Sequence, residues 1–336
     1  MSRIRIGQIG IGHEHASGIM AALRRLPEIF EVVGVVEEPN PRWSQRGDRA
    51  YQGLPWLTED ELFGIPNLAA VAVETNMPQA VAAAQRCAAR GLHIHLDKPG
   101  GETMEPFRQL VEACRAQGLA LQLGYMYRTN PAVSFCRNAV RQGWLGDIFE
   151  VHAVMSRWDN NVYRAFLADY RGGAMYNFGS HLIDLVVGLL GRPDNVVAFQ
   201  RATRDDGLQD NGLAVLEYPR ATATVRTSIC EVDGMQHRRL IVCGTRGSAE
   251  IYPLEYPGRY ELDPLHVRLT LRESAGPFAA GTQRVEVGVM PGRYEAQLAE
   301  LAAVIRGELA NPWPYEHELT VQEVLLAAAG YTTWGG

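Results

Sequence analysis

The first third of the chain alternates short apolar runs with segments in which apolar residues recur every three or four positions. The apolar runs have the length of strands covered on both faces, and they span residues 3–9, 30–36, 68–73, 93–96 and 119–123. The segments between them have helical spacing over residues 16–26, 79–90 and 104–116. This alternation predicts an α/β fold with a parallel, doubly wound sheet.

After residue 125 the pattern changes from alternating strands and helices to a series of short strands. A helix is predicted over residues 133–142, and two more over 294–305 and 319–328 close the chain. Between them, strands are predicted over residues 148–155, 195–201, 212–218, 222–229, 239–242, 249–251, 267–271 and 284–287. Several of these strands alternate apolar and polar residues, which is typical of a mainly antiparallel sheet with one covered face.

The length of 336 residues fits two domains, which we place at residues 1–124 and 125–336, with the C-terminal helix able to pack back on the first. A hydrophobic content of 46% is ordinary for a globular protein, and a net charge of −6 without a basic run gives no indication of nucleic-acid binding. No apolar stretch approaches the roughly 20 residues that cross a bilayer. The start lacks the apolar core of a signal peptide, and the five cysteines have no CxxC spacing. We therefore expect a cytoplasmic protein with reduced thiols.

Lys98 is the only lysine, since the other 31 of the 32 basic residues are arginine. It follows the predicted strand 93–96 within Leu96-Asp97-Lys98-Pro99-Gly100-Gly101. An arginine cannot lose its proton in a protein, whereas a lysine can, and the ammonium is also more compact. The position therefore indicates a group that titrates or fits a tight pocket, with the chance survival of a surface lysine as the alternative.

A glycine turn follows the first predicted strand. Gly10 and Gly12 stand where a dinucleotide-binding turn needs a tight bend and a close backbone approach to a pyrophosphate, while the third position of that fingerprint is His15. Glu37 ends the second predicted strand, and its carboxylate could accept hydrogen bonds from both ribose hydroxyls and repel a 2′-phosphate. This favours NAD over NADP. A solvated strand end at Glu37 and Glu38 is the alternative.

The ends of the predicted strands carry the candidate cofactor contacts of the first domain. Ligands of doubly wound sheets lie beyond the carboxyl ends of the strands, so residues at these ends are expected to meet at one edge. The residues that we predict to contact the dinucleotide are Gly10, Ile11, Gly12, His13, Glu37, Thr75, Asn76, Asp97 and Lys98.

A second group of candidate residues lies in a glycine-led segment of the second domain, residues 171–184. Two glycines precede a predicted helix that carries Asn177, His181 and Asp184. Positions three and four apart share a helix face, so these side chains should project together. An imidazole beside an amide or a carboxylate can move protons near neutral pH, although a histidine in the core of an amphipathic helix is the alternative.

Together these features resemble the glucose–fructose oxidoreductase/inositol dehydrogenase (Gfo/Idh/MocA) family over essentially the whole chain. The resemblance depends on Ile9-Gly10-Ile11-Gly12, on residues 91–99 and on residues 172–184, and residues 242–251 and 294–307 also fit. It implies an N-terminal Rossmann domain that binds a pyridine nucleotide and a C-terminal α+β domain with a large, open, mainly antiparallel sheet. It also implies oxidation or reduction of a sugar, cyclitol or related polyol by a homodimer or homotetramer.

The resemblance assigns roles to individual residues. Lys98 matches the family's catalytic lysine, although Asp97 stands where the family has Glu, and His181 matches an acid/base histidine. The family usually has Asp four residues before that histidine, whereas Asn177 cannot stabilise an imidazolium by charge, so His181 would depend on Asp184, on Lys98 or on the substrate itself. We hypothesise that the substrate hydroxyl lies between Lys98 and His181, with His181 accepting the proton and Lys98 holding the alkoxide. Candidate substrate contacts are Tyr127, Arg128, Trp158, Tyr163 and Arg164.

Two further functions are compatible with the sequence. One is an NAD-using glycoside hydrolase or lyase with transient redox chemistry, and the other is a non-catalytic NAD or sugar sensor. Retention of Lys98 argues against the sensor, while Asn177 argues weakly for it. The motifs His13-Glu14-His15 and His93-Ile94-His95 raise the question of a metal site, but no third and fourth ligand is evident, so we predict none.

Overall fold

The computed structural model describes residues 2–335. These residues form two compact units. The first comprises the chain up to Tyr125 together with Gly292–Leu319, and the second comprises Met126–Pro291 together with the residues from Thr320 onward. The first boundary lies one residue from the predicted one. The prediction has only the C-terminal helix packing back on the first domain. In the structure, residues 292–319 are grouped with the first unit.

The first unit contains five strands in the order β2-β1-β3-β4-β5, and every neighbouring pair is parallel. They are β1 (Ile4–Ile9), β2 (Phe30–Val36), β3 (Ala70–Val73), β4 (His93–Leu96) and β5 (Leu121–Leu123). This confirms the predicted parallel, doubly wound sheet. The strand order reverses at β1, which lies between β2 and β3, so the ends of β1 and β3 mark the edge where such sheets bind ligands.

The helices of the first unit are α1 (Ala16–Arg25), α2 (Glu59–Phe63), α3 (Met77–Ala88), α4 (Met104–Gln117) and, late in the chain, α8 (Glu295–Ile305). The second unit contains α5 (Pro131–Arg141), α6 (Asn161–Leu167) and α7 (Ser180–Leu190), and the boundary at residue 319 falls within α9 (Tyr315–Ala328). Leu298 and Ala302 of α8 are buried in the same apolar cluster as Ile6 of β1 and Leu23 of α1. Burial of these side chains explains why a segment from the end of the sequence belongs to the first unit.

The second unit contains an eight-stranded sheet in the order β13-β12-β11-β10-β6-β9-β8-β7. Its strands are β6 (Ile148–Ser156), β7 (Asn195–Arg201), β8 (Asn211–Glu217), β9 (Thr222–Ser228), β10 (Arg239–Gly244), β11 (Gly247–Ile251), β12 (Leu265–Leu271) and β13 (Gly281–Gly288). All neighbouring pairs are antiparallel except β6 and β9. Burial alternates along β8, so one face of this strand is covered. The predicted α+β domain with a mainly antiparallel sheet is confirmed.

The helix that carries His181 is less regular than the spacing predicts. A π-helical turn, Met175–Gly179, precedes α7, which begins at Ser180. Because a π turn contains more residues than an α turn, the rule that residues four apart share a face does not apply across Asn177 and His181. Such turns are frequent at functional sites.

Within residues 2–335, no helix has both the length and the apolar character that would let it cross a membrane.

Candidate active site

Lys98 lies just beyond the end of β4 and is 1% exposed. Burial lowers the pKa of its amine because water no longer solvates the charged form. Asp97 and Glu14 act in the opposite direction and favour the ammonium, while Arg293 adds to the lowering. The single lysine of the chain is therefore a buried group whose proton is held less tightly than that of an ordinary surface lysine.

Asp97 connects Lys98 to the glycine turn. Its Oδ1 accepts a hydrogen bond from the backbone N–H of Lys98 at 2.7 Å. Its Oδ2 lies 2.7 Å from Nδ1 of His13 and 2.8 Å from Nδ1 of His15. Burial by itself would raise the pKa of Asp97, but the two facing imidazoles outweigh it and hold that pKa well below its usual range. Asp97 is therefore a buried, ionised carboxylate.

The imidazole of His15 behaves differently from that of a surface histidine. Burial lowers the pKa of His15 from 6.5 to about 4, although Asp97 opposes the shift. The ring is therefore neutral at physiological pH. In the sequence His15 is only a bulky departure from the glycine fingerprint, whereas the structure brings it to the carboxylate beside Lys98.

A second buried carboxyl group lies next to this cluster. Glu74 follows β3 and is fully buried. Burial raises its pKa well above the usual range, and the neighbouring Asp97 carboxylate raises it further. The two neighbouring carboxyl groups therefore differ, since Asp97 favours its ionised form and Glu74 favours its protonated form. Sequence reasoning missed Glu74. Its signal is an acidic residue at the end of an otherwise apolar run, directly before the predicted Thr75.

The glycine turn has little space for larger residues. Gly10 has a φ of +97°, and a Cβ atom there would lie 2.3 Å from the backbone nitrogen of Thr75. A Cβ atom at Gly12 would meet the side-chain oxygens of Glu38 and Asn76, at 2.4 and 2.5 Å. Glycine is therefore required at Gly10 both by the left-handed backbone and by the close approach of the strand end. This is the local geometry that the predicted dinucleotide turn needs.

The carboxylate that reaches this turn belongs to Glu38. Its side chain is buried and accepts hydrogen bonds from the backbone N–H groups of Ile11 at 2.7 Å and Gly12 at 3.0 Å. It also accepts from the backbone N–H of Asn76 at 3.0 Å. Glu37, the predicted ribose ligand, instead pairs with Arg46 at 2.6 Å and accepts from Ser44 at 2.8 Å. The structure thus brings the neighbour of the predicted residue to the turn.

One further atom of the turn fits a ligand. Nε2 of His13 is buried and has no hydrogen-bond partner within residues 2–335, which leaves a polar atom for a bound donor or acceptor. The tight glycine cradle, the Glu38 carboxylate and this ring nitrogen are compatible with a dinucleotide at this edge of the sheet. Among the remaining predicted contacts, Thr75 packs against Gly10, and Asn76 Oδ1 accepts from the backbone N–H of Arg42.

In the second unit, His181 and its neighbours are buried. The ring of Tyr127 packs edge-on against His181, with 5.6 Å between centroids. The Tyr127 hydroxyl donates to Glu255, which also pairs with Arg238. Burial, followed by the Glu255 charge, raises the pKa of Tyr127 well above its usual range, so it remains a neutral phenol. Tyr127, a predicted substrate contact, thus supports the histidine.

The other predicted residues of this unit form pairs with one another or with acidic residues, apart from one exposed side chain. Asp184 accepts hydrogen bonds from Arg128, the shortest being 2.7 Å from Nη2, and both side chains are buried. Asn177 Nδ2 donates to the Tyr163 hydroxyl at 3.2 Å. The remaining two differ in burial: Arg164 is buried against Asp206 at 2.6 Å and Asp210 at 2.9 Å, whereas Trp158 is 56% exposed.

The parallel sheet with its glycine turn and strand-end carboxylate defines a dinucleotide-binding α/β protein with a second, antiparallel domain. The family comparison agrees with this class. Residues 4–125 match the model described as "Oxidoreductase family, NAD-binding Rossmann fold", and residues 133–250 match "GFO/IDH/MocA C-terminal domain". The chain belongs to the Gfo/Idh/MocA family and is an NAD(P)-dependent oxidoreductase.

Several known proteins are similar to this chain. The trans-1,2-dihydrobenzene-1,2-diol dehydrogenase of Macaca fuscata fuscata is 27% identical over 256 residues, which cover 74% of each chain. The WlbA dehydrogenase from Bordetella pertussis, solved in complex with NADH and UDP-GlcNAcA, has a TM-score of 0.75 at 18% identity and covers 97% of this chain and 95% of its own. A mutant of KijD10, a 3-ketoreductase from Actinomadura kijaniata solved with TDP-benzene and NADP, has a TM-score of 0.76 at 19% identity, with 97% of each chain covered.

Proposed function

We propose that this chain is an NAD-dependent dehydrogenase that transfers hydride between the nicotinamide and a hydroxyl-bearing carbon of a sugar, cyclitol or related polyol. The observation that carries the proposal is the single lysine, which is buried beside an ionised carboxylate at the end of β4 in a nucleotide-binding unit. A relative that acts on a dihydrodiol supports a substrate with neighbouring hydroxyl groups.

We propose NAD as the cofactor on the basis of Glu38. A carboxylate at the end of the second strand can accept hydrogen bonds from ribose hydroxyls, and it would repel a 2′-phosphate. Glu38 is fixed against the turn by three backbone N–H groups. Gly10 would supply the tight bend of a dinucleotide turn, whereas the N–H groups of Ile11 and Gly12 are bound by Glu38. The bound nicotinamide would supply the site that accepts or donates hydride.

Lys98 and His181 are proposed to handle the proton. The lowered pKa of Lys98 makes its neutral amine more accessible than that of a surface lysine, so it can accept a proton or hold an alkoxide. His181 is held by Tyr127 in a buried position, where a neutral imidazole can accept the hydroxyl proton. Asp184 is paired with Arg128, which supports a structural part for it beside this histidine.

The test is a screen for reduction of NAD by a panel of inositols, aldoses, aldonic acids and vicinal diols, with Lys98→Ala as the control. We expect the absorbance of reduced nicotinamide to increase with at least one polyol for the wild-type protein and not for the control variant. Consumption of a glycoside without a net absorbance change would instead support the hydrolase or lyase alternative. Binding without any turnover over the panel would support the sensor.

A further inference from the structure

Arg293 is brought to the cluster around Lys98 from the far end of the sequence. It directly precedes Tyr294 and α8, and it belongs to the segment Gly292–Leu319 that folds with the first unit. Its Nη2 lies 3.4 Å from Nε2 of His15, at a separation of 278 positions in the chain. A permanent positive charge therefore lies beside the imidazole that faces Asp97.

The protons of this arrangement can be assigned from its chemistry. An ionised carboxylate only accepts hydrogen bonds, so the neutral ring of His15 must donate from Nδ1 to Asp97 at 2.8 Å. Its Nε2 then carries a lone pair. Arginine has donors only, so this lone pair accepts from Arg293. The result is a continuous hydrogen-bonded chain from Arg293 through His15 to Asp97, and from Asp97 to the backbone of Lys98.

His13 completes the group from the other side. Its Nδ1 lies 2.7 Å from the same carboxylate oxygen that His15 contacts. Two imidazoles from the glycine turn therefore bind one oxygen of Asp97, while the other oxygen holds the Lys98 backbone. The loop after β4 and the turn after β1 are joined by these three side chains, which we call the His–Asp–His triad.

We propose that Arg293 and the His–Asp–His triad are positioning residues that hold the Lys98 backbone against the glycine turn and, through their opposite charges, decide whether the Lys98 amine is protonated. The proposal deepens the proposed function, since the amine concerned is the one assigned to proton handling there. It assigns a positioning role in this site to Arg293 and to the histidines His13 and His15.

The charges that face Lys98 come from three elements. Asp97 at the end of β4 and Glu14 in the glycine turn favour the ammonium, whereas Arg293 before α8 disfavours it. His13, His15 and the protonated Glu74 complete the cluster around the carboxylate. Because Lys98 is buried, these few charges act with little screening by solvent. Removing one of them should move the protonation of the amine in a direction fixed by its sign.

A metal ion held by the triad is the main competing interpretation. One potential ligand atom of each of His13, His15 and Asp97 lies within 4.8 Å of the others. The carboxylate oxygen, however, lies at hydrogen-bond distance from both ring nitrogens, 2.7 and 2.8 Å, whereas ligands of a tetrahedral zinc ion are separated by about 3.3 Å. The guanidinium of Arg293 next to His15 would also repel a cation. Hydrogen bonds therefore account for the arrangement better.

The test uses the fact that the chain has one lysine. Feeding ¹³C,¹⁵N-lysine labels a single side chain, so the Cε and Nζ signals, followed against pH, report the protonation of Lys98 directly in the cofactor-free protein. Arg293→Gln should raise the midpoint of this titration by about one pH unit, because a nearby positive charge is lost. Asp97→Asn should lower it by a similar amount, and Asp97→Glu, which keeps the charge, should restore it towards the wild-type value.

Matched controls separate charge from folding. Arg86→Gln removes an arginine of the same unit that pairs with Glu59 at the surface, and it should leave the Lys98 titration unchanged. Arg293 is only half-buried, so its variant remains informative if Asp97→Asn does not fold. In the double variant, His15→Gln should reduce the shift of the Lys98 titration that Arg293→Gln causes. The reason is that His15 forms the hydrogen-bonded link between the charges of Arg293 and Asp97.

An unchanged or lowered midpoint in Arg293→Gln would overturn the proposal, as would a divalent metal found in stoichiometric amount in the purified protein and lost in His15→Gln. The titration requires neither substrate nor turnover. The two proposals can fail separately. If Arg293→Gln and Asp97→Asn shift the Lys98 titration in opposite directions while Lys98→Ala keeps full activity, the proposed catalytic role of Lys98 is refuted. The positioning role of Arg293 and the His–Asp–His triad then remains.

Discussion

The buried carboxyl groups of the two units have different kinds of partner. Around Lys98 in the first unit, one carboxylate is bound by two imidazoles and lies near a protonated glutamic acid, so most of the partners can gain or lose protons. In the second unit, which carries His181, buried carboxylates are paired with arginines: Asp184 with Arg128, Glu255 with Arg238, and Asp210 with Arg164.

This difference distinguishes groups that can exchange protons from groups that hold the fold in place. An arginine cannot be deprotonated, so an arginine–carboxylate pair keeps its charges at any physiological pH and fixes geometry. A cluster of histidine, lysine and carboxyl groups instead changes its protonation when one member changes. We therefore expect substitutions in the cluster around Lys98 to act mainly on proton transfer and pH dependence, and substitutions in the arginine–carboxylate pairs of the second unit to act mainly on stability.

The largest effect is expected for Lys98→Arg. A guanidinium keeps the positive charge but cannot give up its proton, so turnover should fall by about 10²- to 10⁴-fold, the usual contribution of a positioned acid or base. Cofactor affinity, measured by titration calorimetry, should stay within about threefold, because the turn and Glu38 are untouched. Lys98→Met is the uncharged control. Turnover like that of the wild type in either variant would contradict a proton-handling role.

The next largest effect concerns the buried pair of the second unit. Asp184→Asn leaves the Arg128 guanidinium buried without its counter-charge, which should lower the free energy of unfolding by about 3–5 kcal/mol in urea denaturation. Glu323→Gln, which breaks the exposed pair with Arg192, should cost less than about 1 kcal/mol. Equal stability losses would mean that the buried pair does not anchor its unit.

A pH-dependent stability is expected from His15. Its pKa is about 4 when folded and 6.5 in the reference state, so as the pH falls the unfolded chain binds a proton first. Protonation of His15 costs no stability above pH 6.5, and the free energy of unfolding falls between that pH and about 4, by at most roughly 3.5 kcal/mol at ~1.4 kcal/mol per pKa unit. Thermal unfolding over this range should show a shallower loss in His15→Gln. The exposed His237 provides the control, and an identical slope in His15→Gln would contradict the buried, neutral imidazole.

The smallest effect distinguishes two neighbouring glutamates. Glu38→Gln should weaken NAD binding by about tenfold and improve NADP binding relative to NAD, because the carboxylate at the turn is lost. Glu37→Gln, which only breaks contacts with Arg46 and Ser44, should change either affinity by less than about twofold. Affinities measured by fluorescence of the reduced nucleotides would decide. A larger effect at Glu37 would restore the assignment made from the sequence.

Much of the first unit could be predicted from the sequence because its signals are local. Strand ends, helix spacing and the Gly10–Gly12 turn depend on residues that are close together in the sequence. The predicted bounds of these strands and helices agree with the observed ones within a few residues. The sequence does not distinguish Glu37 from Glu38, because both follow the same strand and only the folded turn shows that Glu38 lies against the backbone of Ile11 and Gly12.

The second unit was harder to predict in detail. The spacing of Asn177, His181 and Asp184 indicated one regular helix, whereas a π turn precedes α7. The sequence predicts separate roles for Arg128 and Asp184, because nothing in it shows that residues 56 positions apart form a buried pair. It predicts a substrate contact at Tyr127 without showing the packing on His181 and the hydrogen bond to Glu255, because both depend on the folded unit.

The alternation of strands and helices, the glycine turn and the position of a solitary lysine can be predicted from the amino-acid sequence, because they depend on residue type and short-range periodicity. Which groups are ionised becomes evident only in the folded protein. Desolvation and charges within a few ångströms set a pKa, and the neighbours that matter here, such as Arg293 for His15, come from distant parts of the chain.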